Sequence, residues 1–268
     1  MTAPGFVEVA DRVFVLRHPV LDVNVTLVPG DSAALLVDTL ATAAQARELA
    51  AAVAAVTAAR LLVVNTHHHF DHCFGNAAFG DAPVYAHPEA IARLAGTDPA
   101  DVWREWASTH PSLDGLRTTD IRMPDRPVVH RAVLDLGGRS AVLCHPGRGH
   151  TAGDLIVHVP DAGLVVAGDL VEESGPPQFD DAYPLEWPDA LAAILALRPA
   201  VVVPGHGAVC DAAFVHGQHA ELAALSWLIR DGHADGVAAD EVVRKEPYEF
   251  ETAAIAVARG YAELDGTS

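Results

Sequence analysis

Residues 65–76 read NTHHHFDHCFGN, the most informative stretch of this chain. Within it, four side chains that can bind a metal fall among six consecutive residues: His67, His69, Asp71 and His72. Imidazole nitrogens together with a carboxylate oxygen suit zinc, and also iron or manganese. Because successive side chains of a strand point to opposite faces, a strand alone cannot bring all four to one spot. A strand that leads into a turn can do so, and a turn is predicted here.

The flanking residues supply both the strand and the turn. Residues 60–66 read RLLVVNT, a short apolar run rich in β-branched residues, which predicts a buried strand. Gly75 and Asn76 predict a break after the ligand stretch. The candidate ligands are therefore expected on the turn at the carboxyl end of a strand, where the sheets of α/β proteins usually place their sites.

Three more candidate ligands lie downstream, each beside glycines and an apolar run typical of a strand. His150 stands in PGRGHTAGD (146–154), Asp169 in VVAGD (165–169) and His206 in VVVPGHG (201–207). These settings predict strand ends and loops, which is where a metal site carried by loops needs its ligands.

The H-x-H-x-D-H spacing, taken with these three residues, resembles the metallo-β-lactamase superfamily over about residues 6–210. The resemblance implies an α/β fold, a four-layer αββα sandwich of two mixed sheets between helices. It also implies two divalent metals per subunit, with zinc favoured and iron or manganese as alternatives. The implied ligands form two groups bridged by Asp169: His67, His69 and His150, and Asp71, His72 and His206.

Other residues of these motifs are candidates for supporting roles. Asp38, in LLVDT (35–39), matches a family position that braces the metal site, although an aspartate capping a turn at a strand end would look the same. Asp154 is either a brace of the same kind or a turn residue. His68 lies between two ligands and is expected to point away from the metals. Cys73 either lies near the site or, as we favour, is a small buried filler.

The ligand set that the resemblance implies predicts a hydrolase. Two ions that share a water lower the pKa of that water towards neutrality and polarise a substrate oxygen, so a metal-bridging hydroxide can attack without a protein nucleophile. In this interpretation Asp71 and Asp169 are the catalytic carboxylates. The chain also lacks the Gly-x-Ser-x-Gly elbow of serine hydrolases. The predicted substrate is a small ester, thioester, lactone or amide.

Departures from the family's patterns leave the subfamily open. The ligand set is that of glyoxalase II, but the basic and tyrosine residues of a glutathione site have no match here. True zinc β-lactamases lack the bridging aspartate. An iron-dependent oxidoreductase of the persulfide dioxygenase type is the main alternative, and a nuclease or phosphodiesterase is a further one. A metal-binding protein without catalysis is the third, and the full set of seven ligands argues against it.

Charge and composition narrow the expected partners. The 268 residues include 36 acidic and 17 basic side chains, a net charge of −19 that repels phosphate backbones and anionic membranes. A small-molecule substrate is therefore expected, rather than nucleic acid or a membrane, and the oligomeric state stays open. No signal peptide is visible at the start of the chain, and the three cysteines suit a reducing compartment, so a cytoplasmic location is expected.

One large domain followed by helices is predicted. Residues 1–210 are expected to form the catalytic domain, with a helical insertion over residues 76–126 near the mouth of the site. Residues 211–268 predict an α-helical extension of the same domain, with helices over 212–230, 238–245 and 249–262. Trp103 and Trp106, on a predicted helix over 99–107, either line the mouth or pack in the core.

The segment over residues 172–184, EESGPPQFDDAYP, predicts a loop because it is rich in glycine, proline and acids. A loop that begins beside a metal ligand is expected to lie over the metals and to carry recognition. Phe179 and Tyr183 would supply apolar walls, while the acidic side chains would disfavour an anionic substrate. Neutral or cationic acyl compounds are therefore expected to be preferred over phosphodiesters.

Overall fold

The computed structural model of the chain describes residues 5–106, 108–244 and 248–267. The strands within these ranges are β1 (Val7–Ala10), β2 (Val13–Arg17), β3 (Asn24–Pro29), β4 (Ala33–Val37), β5 (Arg60–Val64), β6 (Val84–Ala86), β7 (Arg126–Pro127), β8 (Arg131–Asp135), β9 (Ser140–Cys144), β10 (Ile156–Val159), β11 (Leu164–Glu172) and β12 (Val201–His206). The α-helices are α1 (Ala43–Val56), α2 (Phe70–Cys73), α3 (Pro88–Ala95), α4 (Pro99–Trp106), α5 (Trp187–Ala196), α6 (Ala212–Ala234), α7 (Ala239–Val243) and α8 (Phe250–Leu264). Short 3-10 helices span Phe74–Phe79, Pro111–Thr118 and Pro160–Ala162. No helix in the described ranges is long and apolar enough to cross a lipid bilayer.

The strands form two mixed sheets. The first has seven strands in the order β1-β2-β3-β4-β5-β6-β7, antiparallel up to β4 and parallel from β4 to β7. The second has five strands in the order β12-β11-β10-β9-β8, of which only β11 and β12 pair in parallel. Parallel neighbours end at the same edge of a sheet, so residues that follow β5 and residues at the ends of β11 and β12 can share one site.

Side-chain alternation along the strands separates the layers. On β4, Leu35 and Val37 face the core between the two sheets, while Leu36 faces the opposite layer. On β11, Val166 belongs to the core between the sheets and Val165 to the outer layer of the second sheet. Helices cover both outer faces, so the predicted four-layer αββα arrangement is confirmed.

Helix α1 covers the outer face of the first sheet. Thr42 begins it with a capping box: the Thr42 hydroxyl accepts a hydrogen bond from the Gln45 backbone, and the Gln45 side chain accepts one from the Thr42 backbone. Leu49 and Val53, four residues apart, are buried on the face that meets the sheet.

The helices that end the described chain cover the outer face of the second sheet. Leu225 of α6 and Val257 of α8 share one buried cluster with Leu191 of α5 and with Val165 and Val202 of the sheet. The extension therefore shares a hydrophobic core with the sandwich, and a boundary at residue 210 stays a prediction. Lys245 and Pro247, at which the sequence analysis placed a helix end and a break, lie outside the described residues.

The segment over residues 76–126 contains helices, as the sequence predicts, and also strands. It contains β6 and the start of β7, which extend the first sheet by two strands. Its helices α3 and α4, with the 3-10 helix Pro111–Thr118, surround a separate apolar cluster that includes Phe70 and Phe74. Ala107, the last residue of the predicted helix over 99–107, lies outside the described residues.

Candidate metal centre

The ligand stretch lies at the carboxyl end of β5, as predicted, but the chain then turns into a helix. His67 and His69 precede α2, whose first turn carries Asp71 and His72. A strand end followed by a helical turn changes the direction in which successive side chains point. All four side chains can therefore approach the same region, which a continued strand would not allow.

The predicted break at Gly75 and Asn76 is wrong, since both residues lie in the 3-10 helix Phe74–Phe79. A Cβ atom built at Gly75 would come within 1.9 Å of the Thr39 carbonyl oxygen, so this glycine permits a close approach of two backbone segments. Asn76 is buried and exchanges hydrogen bonds with Asn65: each amide nitrogen donates to the other side-chain oxygen, at 2.8 and 3.0 Å. These contacts hold the ligand helix against β5.

The three downstream residues arrive from the second sheet. His150 lies between β9 and β10, and His206 is the last residue of β12. Asp169 lies in an irregular part of β11. The pairing with β12 shifts register on both sides of Gly168, which has a φ of +56°. A bulge of this kind redirects the next side chain, and here the next side chain is Asp169.

The structure brings all seven predicted ligands together in two adjoining groups. The ligand atoms of each group lie within 4.8 Å of one another: His67, His69, His150 and Asp169 in one, and Asp71, His72 and His206 in the other. Asp169 also reaches the second group. Its Oδ1 lies 3.1 Å from His72 Nε2, and its Oδ2 lies 3.2 Å from His206 Nε2 and 3.5 Å from His150 Nε2.

The separations of the nitrogens suit a shared metal. His69 Nδ1 and His150 Nε2 are 3.0 Å apart, and His72 Nε2 and His206 Nε2 are 3.3 Å apart. Two nitrogens at about 2.0–2.1 Å from one tetrahedral zinc would be about 3.3 Å apart. His67 Nε2 and Asp169 Oδ1 are buried without a hydrogen-bond partner among the described residues. Buried polar atoms are normally satisfied, so unpartnered atoms aimed at one point fit a bound ion.

Four of the five imidazoles are oriented by a partner at the ring nitrogen that faces away from the centre. His72 Nδ1 lies 2.8 Å from Asp38 Oδ2, and His206 Nδ1 lies 2.7 Å from the Leu21 carbonyl oxygen. These oxygens can only accept, so each Nδ1 donates and each Nε2 is left with a lone pair for a metal. The other two partners are the Thr66 hydroxyl, 3.0 Å from His67 Nδ1, and the Asp181 carboxylate, 3.1 Å from His69 Nε2.

Asp38 lies where the resemblance places it. Its Oδ1 accepts a hydrogen bond from the Thr66 backbone at 2.8 Å, and its Oδ2 accepts one from the Thr66 hydroxyl at 2.8 Å. Because the Thr66 hydroxyl donates to Asp38, it is left to accept from His67. Asp38 therefore supports His72 directly and His67 through Thr66. Its φ of +67° is left-handed, a conformation that aspartate tolerates better than most residues.

Asp154, the other candidate brace, does not contact a predicted ligand side chain through its carboxylate. It accepts hydrogen bonds from the Thr151 backbone at 2.9 Å and from the Thr151 hydroxyl at 2.7 Å, and so closes the turn after His150. Burial raises the pKa of Asp154 to about 7. Asp154 is therefore a turn residue, one of the two roles that the sequence left open. This turn holds the chain next to His150.

Two acidic residues, Asp181 and Glu172, lie beside ligand histidines. The sequence did not identify them as partners of particular side chains. Asp181 contacts His69, and its other oxygen lies 3.2 Å from His68 Nε2. Burial opposes ionisation of Asp181, but the hydrogen bonds from His68 and His69 outweigh it and lower the pKa. Glu172 Oε1 lies 3.7 Å from His150 Nδ1, and burial followed by the charge of Asp169 raises the pKa of Glu172 to about 8. In the sequence, the only indication of a role for either residue is its position in the acidic segment that follows Asp169.

His68 and Cys73 are placed by their immediate contacts. His68 belongs to neither ligand group, but its ring turns towards Asp181 and lines the cavity next to the centre. Cys73 is fully buried among Phe70, Phe74 and their neighbours, and its thiol lies 3.2 Å from the His69 carbonyl oxygen. It is the small buried filler that the sequence analysis favoured.

The electrostatics of the seven side chains differ between the two groups. Burial lowers the pKa of His150 to about 4 and holds that of His67 well below its ordinary value. For His206, burial opposes protonation, but the nearby Asp169 and Asp71 outweigh it and raise the pKa to about 10. His67 and His150 are thus neutral at pH 7, and His206 retains a proton that a metal would displace. For His69, burial opposes protonation, but the hydrogen bond with Asp181 outweighs it and raises the pKa.

A cavity of about 540 Å³ opens over the centre. The loop after Asp169 lines it, as expected, through Gln178, Asp180 and other residues, but not through the two aromatic residues named from the sequence. Phe179 is buried in the cluster beneath the C-terminal helices, 5.5 Å from the Trp187 ring centroid. Tyr183 is buried too, with Arg148 over its ring. Phe179 is directed into the protein because the apolar cluster beneath the C-terminal helices buries its ring. The Tyr183 ring is also directed into the protein, where Arg148 covers it.

The aromatic wall comes instead from the helical segment. Trp106 lines the cavity together with Val102, and its ring packs 5.3 Å from that of Phe70. Trp103 does not line the cavity; its indole nitrogen donates to Asp114 at 3.0 Å. Trp106 therefore lines the mouth of the site, which is one of the two roles that the sequence left open. Trp103 instead packs within its own segment.

Comparisons with known proteins show the family of the chain. The model of the metallo-beta-lactamase superfamily matches residues 18–206. Over 138 residues the chain is 29% identical to a hydroxyacylglutathione hydrolase of Erythrobacter litoralis, covering 50% of this chain and 43% of that protein. The chain spans about half the length of the curated relatives it matches.

Two solved structures show the same fold. A metallo-beta-lactamase from Pontibacter korlensis superposes with a TM-score of 0.65 at 20% identity, covering 82% of this chain and 99% of that one. A stereoselective inverting sec-alkylsulfatase from Pseudomonas sp. superposes with a TM-score of 0.78 at 16% identity, covering 99% of this chain and 51% of that one. At these identities the similarity concerns the fold alone. The second match includes the C-terminal helices.

Proposed function

Because the chain belongs to the metallo-beta-lactamase superfamily, we propose that it is a dinuclear metal hydrolase that cleaves a small ester, thioester, lactone or amide. The observation that carries the proposal is the position of Asp169, whose two carboxylate oxygens contact ligand nitrogens of both groups at 3.1–3.6 Å. The matched relatives include proteins named as a hydroxyacylglutathione hydrolase, an acyl-coenzyme A thioesterase and a metallo-beta-lactamase. Their shared chemistry is the hydrolysis of an acyl bond, and their individual substrates differ.

The proposed ligands divide by group. His67, His69 and His150 hold one metal, Asp71, His72 and His206 hold the other, and Asp169 lies between them. Zinc suits a set of five imidazoles and two carboxylates. When bound, two such ions activate a water and polarise the oxygen of the bond to be cleaved. We assign Asp71 and Asp169 the catalytic role among the side chains, since both line the cavity as well as facing the ligand nitrogens.

The rest of the chain supports this chemistry by fixing the imidazoles. Asp38, Thr66, Asp181 and the Leu21 carbonyl each hold the outward nitrogen of one ring, so the inward nitrogen is the one left for a metal. Leu21 itself has a φ of +59°, a strained conformation for a bulky residue, and this turn brings its carbonyl oxygen within 2.7 Å of His206. Strain of this kind persists where the surrounding structure needs the contact.

The proposal is tested by metal analysis and by turnover on one sample. Protein purified without added metal and then loaded with zinc should hold two equivalents and should hydrolyse at least one of a panel of ester, thioester, lactone and amide substrates. Asp169→Asn keeps the size of the side chain and removes its charge, and should lower both the second equivalent and turnover by orders of magnitude. A single equivalent in the loaded wild type, or iron retained in place of zinc together with persulfide oxidation, would overturn the proposal.

A small-molecule substrate and a cytoplasmic location complete the proposal. The cavity of about 540 Å³ suits a ligand of modest size, since pockets for small molecules commonly have volumes of about 300–1,000 Å³. All three cysteines are free thiols, which supports a reducing compartment.

A further inference from the structure

The cavity over the candidate metal centre has an acidic mouth. Glu105 of α4 and Asp180 of the loop after β11 both line it, and both are exposed to solvent. None of the described lining residues is a lysine or an arginine. Neither carboxylate has a hydrogen bond or an ion pair within the described parts of the chain.

An aromatic and apolar wall lies beside these carboxylates. Trp106 follows Glu105 in α4 and packs against Phe70 with ring centroids 5.3 Å apart, and Val102 and Phe74 continue the wall. An indole ring attracts a cation to its face, and an unpaired carboxylate in the same cavity adds to that attraction. The combination suits a group that is both apolar and positively charged, such as an alkylammonium.

The floor of the cavity, unlike its mouth, would attract an electron-rich group. His150 and Asp169 line it, are more than nine-tenths buried, and carry the polar atoms His150 Nδ1 and Asp169 Oδ1 without a partner among the described residues. Two divalent ions would carry more positive charge than their two carboxylate ligands and a shared hydroxide neutralise, so this floor would be positive. An electron-rich acyl oxygen is attracted to such a floor, while a cation is attracted to the mouth.

We infer that the substrate is a cationic acyl compound, an ester or thioester whose ammonium group lies between Trp106 and the carboxylates Glu105 and Asp180. The inference rests on the proposed hydrolase function and names its substrate class. The opposed charges of floor and mouth orient such a molecule with its acyl group inward. Anionic thioesters meet the two unpaired carboxylates at the mouth, so they bind more weakly than the cation.

Three thioesters that differ only in the charge of the leaving thiol test the inference. Butyrylthiocholine carries a trimethylammonium group, 3,3-dimethylbutyl thiobutyrate has a neutral carbon in place of that nitrogen, and the butyryl thioester of 3-mercaptopropanoate is an anion. The zinc-loaded enzyme should show a kcat/KM for the cation at least about fivefold above that for the neutral compound, and higher still relative to the anion. Equal values for cation and anion, or a preference for the anion, would refute the inference.

Substitution of the mouth carboxylates should change the ratio between substrates. In the double variant Glu105→Gln, Asp180→Asn, the ratio of kcat/KM for cation over neutral compound should fall to about one. Trp106→Leu should lower the same ratio by removing the indole face. The control, Glu251→Gln in α8, removes one exposed negative charge far from the cavity and should leave the ratio unchanged. A ratio that falls equally in this control would show a nonspecific charge effect and would refute the inference.

A binding measurement separates this inference from the hydrolase proposal. Hexyltrimethylammonium and hexyl sulfate share an alkyl chain and differ in the sign of their charge, and their binding is measured by calorimetry on zinc-loaded and metal-free protein. The cation should bind to both forms, and the double variant should weaken it about tenfold in both. If the cation binds in this way but no member of the ester, thioester, lactone and amide panel is cleaved, the hydrolase proposal fails while the binding site stands. If only hexyl sulfate binds, the inference fails whatever the turnover.

Discussion

Asp38 supports two predicted ligands from a single buried carboxylate. It accepts hydrogen bonds from Thr66 and from His72, and through the Thr66 hydroxyl it also sets the tautomer of His67. Burial raises the pKa of Asp38, while the contacts with His72 and Thr66 lower it again, so the carboxylate depends on these partners to remain ionised. Residues that hold a ligand ring in place affect metal affinity without touching the metal.

Asp38→Asn is expected to weaken zinc binding by about 10–100-fold. Asparagine fits the left-handed backbone, and its side-chain oxygen can still accept from the Thr66 backbone. Its NH2 group, however, cannot accept from the Thr66 hydroxyl and from His72 as the second carboxylate oxygen does. Zinc affinity is measured by competition with a chromogenic chelator. The control is Asp211→Asn, the same change at the N-cap of α6, where asparagine caps equally well and affinity should not change. An unchanged affinity in Asp38→Asn would show that Asp38 does not position His72.

The bulge in β11 turns a regular strand into part of the site. Gly168 has a φ of +56°, and a Cβ built there would lie 2.8 Å from Thr66 Cβ and 3.0 Å from Thr66 Oγ1. The glycine therefore serves both the unusual backbone and the close packing of β11 against the end of β5. Through Thr66, this contact joins the strand that carries Asp169 to the hydrogen bonds of Asp38 and His67.

Gly168→Ala is expected to lower both the stability and the zinc affinity. The left-handed conformation alone costs alanine about 1–2 kcal/mol, and the contact with Thr66 adds to that cost and displaces the hydroxyl. Gly163→Ala is the matched control, since Gly163 has a φ of +58° but its nearest neighbour to a new Cβ is 3.7 Å away. Denaturant unfolding should show a loss in both variants and chelator competition a loss in Gly168→Ala alone. Equal zinc affinity in the two variants would contradict this account.

The predicted ligands join the two halves of the fold. Four of them follow β5 in the first sheet, and His150, Asp169 and His206 come from the second. Other polar contacts also link the sheets at this edge. The side-chain amide of Asn24 donates to the carbonyl oxygens of Pro204 and Gly207 at 3.0 and 2.9 Å, and the Leu155 backbone donates to the Thr66 carbonyl oxygen at 2.7 Å. Metals bound here would therefore hold the sheets together, and binding to the native state alone would raise its stability.

Zinc is expected to raise Tm, and to raise it more at pH 8 than at pH 6. In the metal-free protein the pKa of His206 is about 10, above its ordinary value of 6.5. The proton on His206 thus stabilises the metal-free fold below about pH 6.5, and this contribution is lost as pH rises towards 10. Zinc must displace the same proton, so its affinity increases over that window. Calorimetric Tm values with zinc and with a chelator check this, and a difference that shrinks with rising pH would contradict it.

Local patterns were sufficient for several of the elements, while the layers and the full ligand set followed from the resemblance. The apolar run of β5 and the periodic stretches that form α6 and α8 each act over a few residues, so these elements can be predicted from neighbours in the chain. The seven ligands could be named because their residue types and spacing carry the resemblance. Their assembly into two groups agrees with that expectation, while their binding of metal stays a prediction.

Contacts between distant segments could not be predicted in this way. Asp181 reaches His69 across 112 residues, and the Leu21 carbonyl reaches His206 across 185. Phe179 and Tyr183 were assigned to the cavity because their loop begins beside Asp169, yet the apolar surface beneath the C-terminal helices buries Phe179 and Arg148 covers Tyr183. A loop side chain can point into the cavity or into the protein, and the difference in the free energy of burial between these two positions decides which it takes. That difference exists only once the sheets and helices have packed, because the competing surfaces are built from residues far apart in the chain.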